Sequence, residues 1–299
     1  MERDALADRL QRQLQSADGL NDAVEAAVSI ARDLGLRVGV PVILRDLTNV
    51  VVRLDPSPVV ARIPLTLSRL RGREWFELEV RALSWLARAG APVAPPATTV
   101  DPGPHERDGF LVSLWELVDH DPDRFDAAAG GRALRELHEA LEHLPEELPD
   151  FRRLDEIAAL LDRLRPSELV SQEEIDGMRE VSELLAVEPP PPLRPIHGDA
   201  HLGNVLWAPE GPCWTDFENL CAGPVEYDLA CTSWRARPQD ADVLGAYGRH
   251  DEALRDCMEP FLALFLAPWT VTIVERRPSP GGVEEVRRRI KRALEPLAR

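Results

Sequence analysis

The chain has 299 residues, of which 44% are hydrophobic, and a formal net charge of −17 at pH 7. This apolar content suffices for one sizeable core or two smaller ones, which excludes a disordered chain. The negative field repels phosphate backbones, so we expect no nucleic acid partner. No apolar run of about 18 residues exists and the first residues are charged, so we expect no membrane partner, no signal sequence and a cytoplasmic location. The four cysteines contain no CxxC pair, which disfavours a zinc site or a disulfide framework.

The N-terminal residues have a helical pattern. Two helices are predicted, over 2–16 and 21–34. In the first, leucines recur at every fourth position, as on one face of a helix. The second ends before Gly35, a residue that often terminates helices.

Short β-branched runs then replace the helical pattern, with turn-forming residues between them. They predict an antiparallel meander of three strands, over 41–44, 50–54 and 59–63. A helix is predicted over 73–89, because its apolar residues form one stripe and Gly90 follows it.

Two further strands, 97–101 and 110–114, are predicted around a turn at 102–104. The first part of the chain is therefore expected to form a small antiparallel sheet with one packed helix. The stretch 113–118 is predicted to be a hinge.

Helices dominate after residue 118, and they are predicted over 127–143, 151–164 and 172–187. We therefore predict an α+β fold with two lobes. The N-terminal lobe would span 1–118, and the helical C-terminal lobe, with the catalytic loop and the acceptor site, would span 119–299.

One stretch carries most of the chemical information. His197-Gly-Asp199 is followed by Asn204, and an apolar segment then leads to Asp216-Phe-Glu218. This is the layout of a kinase catalytic loop followed by a strand that ends in a metal ligand.

Phosphoryl transfer explains this spacing. The reaction needs a carboxylate that orients the attacking hydroxyl and oxygen ligands that hold Mg2+ on the triphosphate. We predict Asp199 as the orienting residue and weak general base, and Asn204 and Asp216 as metal ligands that a hairpin brings together. His197 is expected to be an internal hydrogen-bonding strut.

Together with Gly223-Pro224 and 226–230, these motifs resemble the aminoglycoside phosphotransferase family, which includes choline and homoserine kinase relatives. The resemblance extends, more weakly, over nearly the whole chain from about residue 36. It implies a protein-kinase-like fold whose sheet lobe and helical lobe clamp ATP, with Mg2+ as the second cofactor. It also implies Asp199 as the catalytic base and Asn204 and Asp216 as magnesium ligands, with Glu218 either assisting at the metal or facing the substrate cleft.

The nucleotide-binding half departs from the usual pattern. Kinases hold the nucleotide phosphates with a lysine that is paired to a helix glutamate, and Arg62 stands at the position expected for that lysine. Arg62 keeps the charge with a different geometry. Glu79 is the predicted partner, because it lies one turn before Leu83 on the buried face. Glu74 and Glu77 are the alternatives.

The turn over the phosphates, 46–49, contains no glycine. Thr48 and Asn49 would offer hydroxyl, amide and main-chain N–H groups in its place. In the hinge, main-chain groups of Glu116 and Val118 are predicted to pair with the adenine edge.

Several other residues have simpler interpretations. Asp228 follows Pro224 and is expected to anchor the helix that begins there. His138 is expected to be packed or capping, whereas His201 is only weakly favoured as a substrate contact. Neither a GxxxxGK[ST] loop nor a GxGxxG fingerprint is present, which excludes P-loop NTPases and dinucleotide enzymes.

The sequence therefore predicts ATP-dependent phosphorylation of a hydroxyl on a small, possibly cationic acceptor, such as an aminoglycoside-type antibiotic or a related amino alcohol or sugar. Acidic residues are the candidates for binding an amine: Asp119, Asp121, Asp123, Glu218 and Glu226. One alternative is a choline- or homoserine-type metabolite kinase. Another is a catalytically weak nucleotide-binding regulatory module, which Arg62 and the glycine-free turn suggest.

Overall fold

The computed structural model describes residues 17–65, 72–186, 193–233 and 240–298. These residues form two compact units. The first contains the described residues up to Phe125, together with 139–146 and 205–218, and the second contains the others. The units are interleaved along the chain, and the predicted boundary after residue 118 falls within the first segment of the first unit.

A five-stranded antiparallel sheet dominates the first unit, in the order β1-β2-β3-β5-β4. The strands are β1 (Val42–Asp46), β2 (Asn49–Arg53), β3 (Val59–Pro64), β4 (His105–Arg107) and β5 (Phe110–Glu116). β3 lies in the middle and is buried along its whole length, as its β-branched residues predict. Its register places Arg62 opposite Val51 of β2 and Ser113 of β5. The predicted three-stranded meander is confirmed.

The predicted strand over 97–101 is wrong, whereas the strand over 110–114 is confirmed and extends to Glu116. β5 pairs instead with β4, through the two-residue turn Asp108-Gly109. Both turn residues have positive φ, 52° and 77°. This geometry matches the twist of a hairpin and favours an Asp-Gly pair, so the hairpin closes there rather than at 102–104.

Two helices belong to the first unit, α1 (Ala17–Asp33) and α2 (Arg73–Arg88). α1 buries Ala23, Ala27 and Ile30 in the same core as the sheet strands. It begins earlier than the predicted residue 21, and the helix predicted over 2–16 lies outside the described residues. α2 agrees with the prediction over 73–89 and ends before Gly90, whose φ of 80° terminates it.

The helices that follow residue 126 are α3 (Ala127–Leu141), α4 (Arg153–Leu161), α5 (Gln172–Leu185), α6 (Val225–Ser233), α7 (Asp240–Tyr247), α8 (Glu252–Arg276) and α9 (Gly282–Ala293). The three predicted helices of this region, 127–143, 151–164 and 172–187, correspond to α3, α4 and α5. α5 begins with a capping box in which Ser171 and Glu174 satisfy each other's main-chain N–H groups.

Short strands complete the fold: β6 (Arg194–Ile196), β7 (Val205–Ala208), β8 (Gly211–Trp214) and β9 (Cys221–Gly223). β6 pairs with β9, and β7 pairs with β8. The pair β7–β8 is the hairpin that the sequence predicts between Asn204 and Asp216. Short 3-10 turns span Leu202–Asn204 and Glu295–Ala298.

α8 is the helix around which the second unit is built. Its residues Leu264, Ala267 and Val271 share one core with α4, α5 and α9. By length and composition alone, Glu252–Glu275 is apolar enough to cross a membrane, and 56% of its most apolar window is buried inside the protein. The sequence has no uninterrupted apolar run along the whole of this helix, because charged residues lie near the start of the helix. Core helices pass the same test, so the finding is weak evidence for a membrane span.

Candidate active site

A cavity of about 270 Å3 lies in the first unit, beside the sheet. It is lined by Thr48, Asn49, Arg62, Glu116 and Val118, the side chains and hinge residues that the sequence assigns to nucleotide binding. Asp216 lines the same cavity. The structure therefore brings these six residues together, although they come from β2, its preceding turn, β3, the end of β5 and the segment after β8.

Arg62, which lines this cavity, forms a buried ion pair with Glu79. The guanidinium Nη1 donates to Glu79 Oε1 over 2.8 Å, and Nη2 donates to Oε2. Arg62 is 7% exposed and Glu79 is 2% exposed. The predicted pairing is confirmed, and the alternatives Glu74 and Glu77 are not the partners. Both terminal nitrogens of the guanidinium group donate to the carboxylate, which is the bidentate geometry that arginine favours with carboxylates.

The electrostatics of this pair follow from its burial. Burial opposes the charge of Arg62, but the charges of Glu79 and Asp216 outweigh that effect and raise the pKa of Arg62. Burial raises the pKa of Glu79, and the hydrogen bonds from Arg62 oppose the rise. The guanidinium also lies over the Trp115 ring, 5.2 Å from its centroid. Arg62 is therefore held as a permanent cation.

Asp216 and Glu218 are linked to the sheet by polar side chains. Arg62 Nη1 donates to Asp216 Oδ1 over 3.3 Å. Asn49 Nδ2 donates to Glu218 Oε2 over 3.1 Å and to Asp216 Oδ1 over 3.5 Å. Asp216 has a φ of 66°, a left-handed conformation that few residues other than glycine adopt.

These groups suit a hard divalent cation such as Mg2+. Carboxylate and amide oxygens are its preferred protein ligands, and Asp216 and Glu218 supply the carboxylates. Asn49 is 3% exposed, and its Oδ1 has no hydrogen-bond partner among the described residues. In the part of the chain that the structure describes, no group of three or more His, Cys, Asp or Glu side chains is placed to hold a metal. A metal here would therefore need amide oxygens or oxygens of its ligand as well.

The hinge has fewer available donors than the sequence suggests. The main-chain N–H of Glu116 donates to the carbonyl oxygen of Pro95, and that of Leu117 donates to Pro58. The Glu116 carboxylate accepts two hydrogen bonds of 2.7 Å from Thr98. Pairing of an adenine with the N–H of Glu116 is therefore blocked, and its carbonyl group is the remaining main-chain candidate. Val118 accepts from His120 Nδ1 at its own carbonyl oxygen.

The predicted catalytic loop lies in the second unit and follows β6. The main-chain N–H of Asp199 donates to His197 Nδ1 over 3.2 Å, which confirms His197 as an internal strut. Asn204 turns back toward Asp199, and its Nδ2 donates to the Asp199 carbonyl oxygen over 3.0 Å. Gly198 has a φ of 81°, and a Cβ there would approach the carbonyl oxygen of Asn219 to 2.1 Å. Only glycine fits this position.

Asp228 anchors this loop. Its carboxylate accepts the main-chain N–H groups of His197 and Gly198, each over 2.8 Å, and it is fully buried. The structural role predicted for Asp228 is confirmed, but its hydrogen bonds stabilise the catalytic loop rather than the start of α6. His138 is packed as expected, between Asp228 and the hydroxyl of Tyr247, at 3.0 Å from each.

His201 lies within the loop, where its Nδ1 accepts from the main-chain N–H of Gly203. Since Nδ1 accepts, the neutral ring carries its proton on Nε2, which lies 3.8 Å from Asp199 Oδ2. A substrate contact by His201 stays a prediction.

Arg153 lies outside the catalytic loop but contacts it, and sequence reasoning missed it. It begins α4, is 3% exposed, and donates to the carbonyl oxygen of Gly198 over 2.8 Å. No local signal distinguishes it from the exposed Arg152 beside it. Its hydrogen bond to Gly198 joins residues that are 45 positions apart in the sequence, so it depends on the tertiary fold.

The model of the phosphotransferase enzyme family matches residues 41–261. No curated protein matches the chain.

Solved structures of small-molecule kinases share the fold. A choline/ethanolamine kinase family protein from Mesorhizobium loti is 21% identical with a TM-score of 0.64, covering 91% of this chain and 93% of that one. Amicoumacin kinase, in complex with AMP-PNP, Ca2+ and Ami, is 13% identical with a TM-score of 0.70, covering 94% and 96%. The GDP and kanamycin complex of APH(2″) is 16% identical with a TM-score of 0.64, covering 90% and 98%. The protein-kinase-like α+β fold predicted from the sequence is confirmed.

Proposed function

Because the chain belongs to the phosphotransferase enzyme family and is an ATP-dependent small-molecule kinase, we propose that Asp199 directs the γ-phosphoryl group of ATP to a hydroxyl of its acceptor. The observation that carries the proposal is that Arg62, held by Glu79, lies beside Asp216 and lines the same cavity as Asp216. Binding of a nucleotide triphosphate needs a fixed cation for its phosphates and a nearby carboxylate that can hold a metal ion.

The proposed reaction assigns a role to each residue. The Asp199 carboxylate accepts a hydrogen bond from the acceptor hydroxyl and orients its oxygen toward the γ-phosphorus. A bond forms between these two atoms, the bond to the β,γ-bridging oxygen breaks, and ADP leaves. The hydroxyl proton passes to Asp199, whose carboxylate then returns it to solvent. Arg62 offsets the negative charge of the phosphates.

The metal site is part of the same proposal. Asp216 is proposed as the principal Mg2+ ligand and Glu218 as its assistant, and Asn204 as a further ligand stays a prediction from the sequence. When bound, the ion would offset the negative charge of the phosphates. Asn49 supports this assignment, since it holds both carboxylates and keeps a buried oxygen at the same place.

The proposed acceptor is a small hydroxylated molecule that carries an amine, as an aminoglycoside-type antibiotic does. Two observations support a cationic acceptor. The chain has a net charge of −17, and Asp119, Asp121 and Asp123 are exposed and form no ion pair with a described residue. The similar structures include a complex with kanamycin, an aminoglycoside.

A choline- or ethanolamine-type metabolite kinase is the second candidate. It is supported by the similarity to the choline/ethanolamine kinase family protein and by the same acidic residues, which would suit a small organic cation equally well. A nucleotide-binding module with weak catalysis is a third candidate. It is favoured by the bond from Arg62 to Asp216, which places a cation on a metal ligand. Cytoplasmic location is proposed from the composition alone.

One assay tests the proposal. Release of ADP from Mg-ATP is measured with aminoglycosides, other hydroxylated antibiotics, choline, ethanolamine and simple sugars, in the wild type and in Asp199→Asn. We expect one acceptor class to stimulate release and Asp199→Asn to reduce it about 100-fold or more while Mg-ATP still binds. Stimulation that survives in Asp199→Asn would contradict the role of Asp199. Binding of Mg-ATP without turnover on any acceptor would favour the module.

A further inference from the structure

We infer that Arg153 is a positioning residue for the catalytic loop. Its guanidinium holds the carbonyl oxygen of Gly198 and thereby fixes the peptide plane that carries the main-chain N–H of Asp199. The inference rests on the proposed function, since it takes Asp199 as the residue that orients the acceptor hydroxyl.

The contact is buried and specific. Arg153 Nη2 donates to Gly198 O over 2.8 Å, and Nη1 donates to Glu156 Oε2 over 2.5 Å. Gly198 is buried, and among the described residues Arg153 is the donor to its carbonyl oxygen. Buried main-chain carbonyl groups are nearly always hydrogen-bonded, and at Gly198 Arg153 provides this bond.

Arg153 completes a set of restraints on consecutive peptide groups. Asp228 accepts the N–H groups of His197 and Gly198, and His197 accepts the N–H of Asp199. The peptide between Gly198 and Asp199 is therefore held at its nitrogen end by His197 and at its oxygen end by Arg153. With the oxygen released, this peptide could rotate about its flanking bonds, because Gly198 tolerates a wide range of φ and ψ.

The surroundings of Arg153 are built around its charge. Its guanidinium lies over three rings, with centroid distances of 4.3 Å to Phe265, 5.0 Å to Tyr227 and 5.6 Å to Phe151. Aromatic faces attract a cation and stack on a planar guanidinium. The three rings fix the orientation of the guanidinium plane, so Arg153 donates its hydrogen bond to Gly198 in one geometry.

Apart from the pair with Glu156 in the same helix, helix stability gives no reason for an arginine here. Arg153 is the first residue of α4, where the partial positive charge of the helix N-terminus repels a cation. Burial of a charged group is also unfavourable unless it gains hydrogen bonds in return. The bond to the catalytic loop is the interaction that this side chain makes outside its own helix and its aromatic neighbours.

The test separates positioning from stability. Arg153→Met removes both hydrogen bonds and fills similar space, whereas Arg153→Lys keeps the charge without the planar fork. Ile290→Ala is the matched control, since it opens a cavity in the core of the same unit and Ile290 is not part of the loop or its supporting residues. For each variant, kcat and KM for ATP are measured with the acceptor found by the panel. Hydrogen exchange of the amides of residues 198–200 is measured by mass spectrometry.

We expect kcat of Arg153→Met to fall about 10- to 100-fold, with KM for ATP within about twofold of the wild type. Exchange of the loop amides should be faster in this variant. Arg153→Lys should lie between Arg153→Met and the wild type, and Ile290→Ala should lower Tm without changing kcat or loop exchange. Wild-type kcat and loop exchange in Arg153→Met would overturn the inference, as would an equal loss of kcat in Ile290→Ala. If Arg153→Met does not fold, wild-type kcat and exchange in Arg153→Lys would overturn it. The exchange measurement needs no acceptor, so its outcome is independent of the proposed function.

Discussion

Replacement of Asp228 by asparagine tests how the catalytic loop is held. The Asp228 carboxylate accepts three hydrogen bonds, from the N–H groups of His197 and Gly198 and from His138 Nε2. Asparagine keeps one oxygen and replaces the other with an NH2 group, which cannot accept. At least one buried main-chain N–H then loses its acceptor, because the two N–H groups bind different oxygens of the carboxylate.

The size of the effect follows from this count. One unsatisfied buried donor costs about 1–3 kcal/mol, and hydrogen bonds to a charged acceptor are the stronger kind. We therefore expect Asp228→Asn to lower the free energy of unfolding by about 2–4 kcal/mol. At about 2–4 °C for each kcal/mol in a chain of this size, Tm should fall by roughly 5–15 °C. A displaced Asp199 should also reduce kcat about 10- to 100-fold.

Thermal unfolding and steady-state kinetics measure both effects. KM for ATP should stay within about twofold, since the residues that line the cavity belong to the first unit. Glu226→Gln is the control for Tm, because it removes a carboxylate of the same helix that is not fully buried and should leave Tm unchanged. If Asp228→Asn had the Tm and kcat of the wild type, the loop would not depend on this carboxylate and the reasoning would be refuted.

Two further predictions concern ion pairs. Glu79→Gln leaves Arg62 buried with a weaker partner, and removal of one member of a buried pair typically costs about 3–5 kcal/mol. We expect the lower end of that range because Asp216 remains; Tm should fall and KM for ATP should rise. Glu77 is half-buried and pairs with Arg73 in the same helix, so Glu77→Gln should leave KM unchanged and lower Tm by at most about 2 °C. An unchanged Tm in Glu79→Gln would show that the pair adds no stability. Burial opposes ionisation of Glu285, but hydrogen bonds from Arg288 and Arg289 lower its pKa. A carboxylate with a lowered pKa stabilises the fold above its unfolded pKa, and this contribution is lost as pH falls through the folded pKa. Glu285 is half-buried and its partner Arg288 is exposed, so Glu285→Gln should cost at most about 1 kcal/mol at pH 7 and nothing well below pH 4; a cost that persists in acid would contradict the assignment.

The sequence predicts those parts of the site that short patterns encode. The spacing of Asp199, Asn204 and Asp216 follows from the reaction, and Glu79 could be chosen over Glu77 because helical periodicity places it on the buried face. The three-stranded meander follows from β-branched runs, because burial on both faces of β3 requires them.

Other features depend on contacts that no local pattern encodes. In the hinge, the main-chain N–H of Glu116 donates to the carbonyl oxygen of Pro95. This bond forms because the segment before β4 lies beside β5 in the fold. Arg153 contacts the catalytic loop from the start of α4. Its neighbour Arg152 has the same local sequence context but is exposed. The edge strand β4 is predicted too early in the chain, at 97–101, because those residues are strand-like. The turn chemistry of Asp108-Gly109 decides where the hairpin closes.

The neighbourhood of Arg62 has a consequence for how nucleotide enters. One guanidinium and three carboxylates, those of Glu79, Asp216 and Glu218, interact there, and they carry a net charge of −2 when all are ionised. A free triphosphate would add several more negative charges to the same place, which Coulomb repulsion disfavours. A divalent cation has the charge that neutralises this group. We therefore expect nucleotide to bind more tightly as its metal complex than as bare ATP.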